Sequence, residues 1–101
     1  SVYSLSSGFP EDERFGLASE IRKTARSVIS NIAEGQQRQT QAEFKRFLVI
    51  ARGSQGELGA QLLLAEALGY VSHERASQIL ELTREVGRML VGLERAIGDR
   101  R

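Results

Sequence analysis

Apolar residues recur at helical spacing through three long stretches of this chain. In the first, Leu17, Ala18, Ile21, Ala25, Val28, Ile29 and Ile32 fall within one arc at about 100° per residue, the pattern of an amphipathic helix. Pro10 suits the first helical position, where its missing N–H costs nothing. Glu11, Asp12 and Glu13 follow, and acids in a first turn complement the helix dipole. Gly35 fits the left-handed residue that ends such a helix, so the spacing predicts a helix over 11–34. Ahead of it, Val2 and Leu5 stand three apart and predict a helical stub over 1–7, broken by Gly8 and Pro10.

The second stretch opens with Thr40 and has Glu43 three residues later, a capping box, and Gly69 closes it. The predicted helix over 40–68 carries Phe44, Phe47, Leu48, Ala51, Leu58, Leu62 and Ala65 on one face. Its opposite face is also apolar or small: Val49, Gly53, Gly56, Ala60, Leu63, Leu64 and Ala67. A helix apolar on both sides is normally covered on both. Glycine inside a helix costs about 1 kcal/mol relative to alanine, so Gly53, Gly56 and Gly59 require a reason. Close approach of another backbone supplies one. A single helix is not easily central in a small bundle, so a second subunit is expected on this face.

The third stretch, over 72–98, begins at "SHER" with Ser72 as the cap. Ile79, Leu82, Val86, Met89, Leu90, Leu93 and Ile97 form its expected core face. Glu81, Arg84, Glu85, Arg88 and Arg95 lie behind as a salt-laced solvent face, with Leu80 and Val91 as the apolar exceptions. Short connections between long helices imply antiparallel neighbours. The fold class expected from the pattern is therefore all-α, with three long antiparallel helices and a stub in one domain over 1–101.

Composition narrows the chemistry. The chain has 101 residues, 41% hydrophobic and 27% charged, which suits one globular domain. It contains no cysteine, so disulfides and thiolate metal sites are excluded. No apolar run approaches the ~20 residues of a membrane span, and "SVYSLSSGFP" does not read as a signal peptide. A cytoplasmic location is the expectation, with no membrane partner. His73 is the one histidine, and no nucleophile elbow, phosphate-binding glycine loop or zinc-binding helix motif occurs. The run "GSQGELG" lacks the preceding strand a phosphate loop needs, and Gln55 within it falls in the core arc, where it needs a hydrogen-bond partner. The expectation is a non-enzymatic protein without metal or cofactor.

Charge is uneven. Residues 14–56 carry eight bases against three acids, whereas residues 57–99 carry four bases against seven acids, although the net charge is only +1. Arg22, Lys23, Arg26, Arg38, Lys45 and Arg46 are the candidate contacts for RNA or DNA, with Arg52 nearby in the same basic block. A solvated helix face explains the same residues, and no aromatics interleave for base stacking. Glu20, Thr24, Ser27, Asn31 and Glu34 form a polar stripe bordering the first apolar arc. It reads either as a solvated flank ending in a cap or as a hydrogen-bonding edge at a helix or subunit seam.

Two long segments carry a resemblance. "FPEDERFGLASEIRKTARSVISNIAEGQQR" resembles the signature of the 23S rRNA intervening-sequence proteins, also called four-helix bundle proteins. "EFKRFLVIARGSQGELGAQLLLAEALGYV" is similar to that family's next helix, including its "A-x-G-S-x-x-E-L" core and "LGY". The resemblance implies an all-α, antiparallel up-and-down four-helix bundle, its first helix truncated or incomplete in this chain, assembled as a homopentamer. It also implies kinship with accessory proteins of diversity-generating retroelements, which bind nucleic acid through basic residues and contact a reverse transcriptase. The family carries about a full helix before "VY-x-L", where this chain begins. Two functions follow as expectations. One is a nucleic-acid-binding accessory factor, and the other is a protein-interaction scaffold with no nucleic-acid role. Self-association through Val49, Gly53, Gly56, Ala60, Leu63, Leu64 and Ala67 is expected in both.

Overall fold

The computed structural model describes residues 2–98, with side chains from residue 13 onward. Among the described residues the fold is all-α, with three helices and no strand: α1 (Val2–Gln36), α2 (Gln41–Ala67) and α3 (His73–Gly98). The four-helix arrangement is not completed within them. The expected break between a stub and the first long helix is absent, because α1 runs unbroken through Gly8 and Pro10. Proline's fixed φ is itself helical, so Pro10 removes one backbone hydrogen bond from a long helix without imposing a turn. Residue 1 and residues 99–101 lie outside the described part.

Helix ends follow local chemistry. Thr40 has extended backbone and its hydroxyl accepts from the Glu43 N–H at 3.1 Å, starting α2. Ser72 does the same for α3, accepting from the Arg75 N–H at 3.1 Å. After α2, Gly69 adopts φ +80°, Tyr70 N–H donates to the Ala65 carbonyl, and Gly69 N–H donates to Glu66, each at 2.9 Å. This is a Schellman stop, which satisfies the last carbonyls of α2. Among the described residues Gly69 is the one positive-φ position, so it is the terminator that α2 requires. Gly35 is different: it lies inside α1 and is not left-handed. Gly69→Ala is expected to lower stability by about 1–2 kcal/mol, the cost of a left-handed L-residue. A urea titration followed by circular dichroism checks it, and an unchanged midpoint would contradict this account of the turn.

α2 is central. It packs against α1 on one side and α3 on the other, while α1 and α3 do not pack on each other. The result is a flat layer of 63 × 25 × 13 Å with a radius of gyration of 17.1 Å. A compact chain of this length has about 13 Å, so much of the molecule lacks the cover a closed bundle provides. The core is correspondingly small. Leu48, Ala51, Leu90 and Ile97 form its buried cluster, with Ile32, Phe44 and Val86 against it.

The buried line of α3 is Ala76, Leu80, Thr83, Gly87, Leu90, Glu94 and Ile97. Its alternating steps of four and three are those of a coiled-coil seam. This corrects the core face expected from the large apolar residues. Leu90 and Ile97 are buried, but Leu82, Met89 and Leu93 are exposed, and Leu80 turns inward. The physical reason is close approach. Small residues let α2 and α3 come near: a Cβ on Gly87 would stand 2.7 Å from Gln55 Oε1. The buried acid Glu94 is matched by Arg52 of α2 in a forked pair at 2.8 and 3.3 Å.

The α1–α2 seam is partly polar. Thr24 and Val28 are buried, and Gly35 is buried beneath Phe44 and Phe47. Ser27 and Ser54 share a hydrogen bond across the helices at 2.9 Å. Asn31 Nδ2 donates to the Ser27 carbonyl at 2.8 Å and to its hydroxyl at 3.2 Å. The stripe that ends in Asn31 and Glu34 is therefore a helix seam for Thr24, Ser27 and Asn31. Glu34 reaches solvent and pairs with Arg38.

Candidate functional site: two uncovered faces and a basic groove

The apolar arcs expected to be core on α1 and α3 instead form the walls of a trough. Leu17, Ile21, Ala25, Val28 and Ile29 line one wall, Ile79, Leu82 and Val86 the other, and Leu58 and Leu62 of α2 the floor. Tyr70 and Val71 close one end, and Arg14 and Arg22 stand at its rim. Ile29 and Leu82 remain 68% and 64% exposed, values that large apolar side chains rarely keep in a covered core.

The second uncovered face is the outer side of α2. Val49, Gly53, Gly56, Ala60, Leu63, Leu64 and Ala67 are all exposed. A Cβ at Gly53 or Gly56 would meet nothing within 4 Å. Neither glycine is required by packing inside this chain, unlike Gly35 and Gly87. α2 is central after all, yet its flanking helices leave this side open, because they meet it through the face of Leu48, Ala51, Leu62 and Ala65.

The six basic residues singled out in the sequence are not gathered on one surface. Arg22, Lys23 and Arg26 are exposed on α1. Arg38 pairs with Glu34 at 2.8 Å and lies over the Phe47 ring at 4.8 Å. Arg46 lies over the same ring at 5.1 Å and faces Glu43 at 3.8 Å. Phe47 thus holds two guanidinium groups beside the α1–α2 turn. Lys45 points the other way, toward a cleft with Arg52, Val91, Glu94 and Arg95.

That cleft opens into a longer groove between α2 and α3, lined by Arg52, Gln55, Gly56, Arg84, Gly87, Arg88, Val91, Gly92 and Arg95. Sequence reasoning assigned Arg84, Arg88 and Arg95 to a salt-laced solvent face and missed the groove. Their spacing was visible, but the register of α3 against α2, which brings Arg52 and Lys45 beside them, was not. His73 is largely exposed and lies 2.6 Å from a Glu66 carboxylate oxygen across the α2–α3 turn.

These features describe a small all-α protein built of three antiparallel helices in a layer, with apolar surface uncovered on both sides. The family model described as 23S rRNA-intervening sequence protein matches residues 1–92, and the chain belongs to that family. No curated protein matches the chain. The intervening-sequence resemblance carried by the two quoted segments is thus shown over most of the sequence.

Proposed function

We propose that this chain is a non-enzymatic, cytoplasmic subunit of a homo-oligomer, a pentamer by family resemblance, acting as a nucleic-acid-binding accessory factor. The observation that carries the assembly is the open outer face of α2, where small and apolar residues line up without any packing reason inside the chain. Glycine at such positions costs helix stability, and close contact with a neighbouring copy offsets that cost. The trough is the seat of a fourth helix, which would complete the bundle and cover Ile29 and Leu82. The excess of basic residues supports a nucleic-acid role, with Arg22, Lys23, Arg26, Arg38, Lys45 and Arg46 as the first candidate contacts.

The rival reading is a protein-interaction scaffold with no nucleic-acid role, and the apolar trough favours it because nucleic acid has no use for such a surface. A reverse transcriptase, as in the related systems, is one partner of that kind. Two measurements separate these readings. Light scattering should give a mass near five copies of the 11.2 kDa chain, whereas a monomer throughout the micromolar range sinks the assembly. Titration with RNA and duplex DNA should show affinity that falls log-linearly as salt rises. Absence of binding at low salt removes the nucleic-acid role and leaves the scaffold.

A further inference from the structure

We infer that the α2–α3 groove, rather than the basic residues of α1 or the α1–α2 turn, is the surface that holds a phosphodiester backbone; this rests on the nucleic-acid reading above. Arg52, Arg84, Arg88 and Arg95 line one continuous groove, and Lys45 extends it through the cleft that shares Arg52 and Arg95. Against these five bases stand two paired acids, Glu94 with Arg52 and Glu81 with Arg88 at 3.6 Å. Arg84 and Arg95 are exposed, and no carboxylate among the described residues lies within salt-bridge distance of either. The groove therefore holds excess positive charge in a chain whose net charge is only +1. Of the six residues first singled out, Lys45 alone joins this groove, whereas Arg38 and Arg46 already face both an acid and Phe47.

The form of the groove selects phosphate. Gly56 and Gly92 lie among its lining residues, and a Cβ at either would meet nothing within 4 Å, so the groove is open there, while Gly87 lies beneath Gln55. No aromatic among the described residues lines it, which removes base stacking and leaves backbone contact as the mode of recognition. Guanidinium groups present planar forks that match phosphate oxygens, which a row of lysines would not. Arg84, Arg88 and Arg95 descend one face of α3 over roughly 16 Å, the axial rise of about five nucleotides in one duplex strand. The Glu94 pair holds Arg52 in place, so the groove wall from α2 is fixed before a ligand arrives. Recognition of this kind is independent of sequence and dependent on salt.

The test uses the full chain and a fluorescent duplex of about 20 base pairs, as RNA and as DNA, across a salt series. R84Q/R95Q should bind at least tenfold more weakly at low salt, and its log–log salt slope should shrink by about 1.8 for two lost phosphate contacts. Arg75→Gln, on the opposite side of α3, should leave both quantities unchanged. Both arginines of the double variant are exposed, and circular dichroism checks that it folds. If the wild-type chain binds and R84Q/R95Q binds equally well, the groove assignment is overturned while the nucleic-acid role stands. Loss of binding in R22Q/R26Q alone has the same meaning. If the wild-type chain binds no duplex at low salt, the nucleic-acid role and the groove fall together. Poly-glutamate competing as strongly as duplex would show a general acidic-polymer surface and overturn phosphate selection.

Discussion

Gly35→Ala is expected to destabilise the chain by about 2 kcal/mol, although alanine is the better helix former. The added Cβ would lie 2.9 Å from both Phe47 Cβ and Phe44 Cδ1, and 3.3 Å from the Phe44 carbonyl. Phe47 Cβ and the carbonyl belong to or adjoin the α2 backbone, so the clash is relieved only by moving α2 away from α1. That movement would also disturb Phe47, on which Arg38 and Arg46 rest. For a domain of about 100 residues the loss corresponds to a fall of roughly 10 °C in Tm. Gly16→Ala is the matched control, because a Cβ there meets nothing within 4 Å and the position is exposed. It should raise stability by up to about 1 kcal/mol. Thermal melts of both variants decide the matter: two shifts of the same sign would falsify the close approach of α1 and α2.

The second large effect concerns assembly. Gly53→Leu should leave helix content and monomer packing intact, since the position is exposed and the site is open within the chain. It should weaken self-association at least tenfold, about 1.4 kcal/mol, because a bulky side chain would hold two α2 helices apart. Gly53 is preferred to Gly56 because Gly56 also lines the arginine groove, where a leucine would confound assembly with ligand binding. Sedimentation at several concentrations reads the outcome. An oligomer of unaltered mass and affinity would mean that this face of α2 is not where copies meet.

Much of the fold is written into local patterns. Thr40 and Ser72 announce their caps through residue type, Gly69 stops α2 as its position suggests, and a seam is one of the two readings the polar stripe offers. The errors have physical causes. Gly35 looks like a terminator, but its meaning depends on Phe44 and Phe47, which approach it from another helix. On α3, hydropathy weights the large residues and points to Leu82, Met89 and Leu93, whereas contact with α2 selects small ones such as Ala76 and Gly87. Glu94 carries no core signal because its burial depends on Arg52, forty-two positions away in sequence. The arginine groove was hidden for the same reason. Both of its walls are visible as helices, but a groove exists only once their relative rotation is fixed.

The separation of α1 from α3 reaches beyond shape. Each interhelical contact joins segments adjacent in sequence, so the chain is two helical hairpins that share α2. Such a topology has low contact order and closes short loops first, which favours rapid folding. It also makes the two interfaces nearly independent. A defect between α1 and α2 should add to one between α2 and α3 with little coupling, as distant sites do. Evolution can then retune the α1 side of the layer while leaving the α3 side, and the arginines it presents, undisturbed.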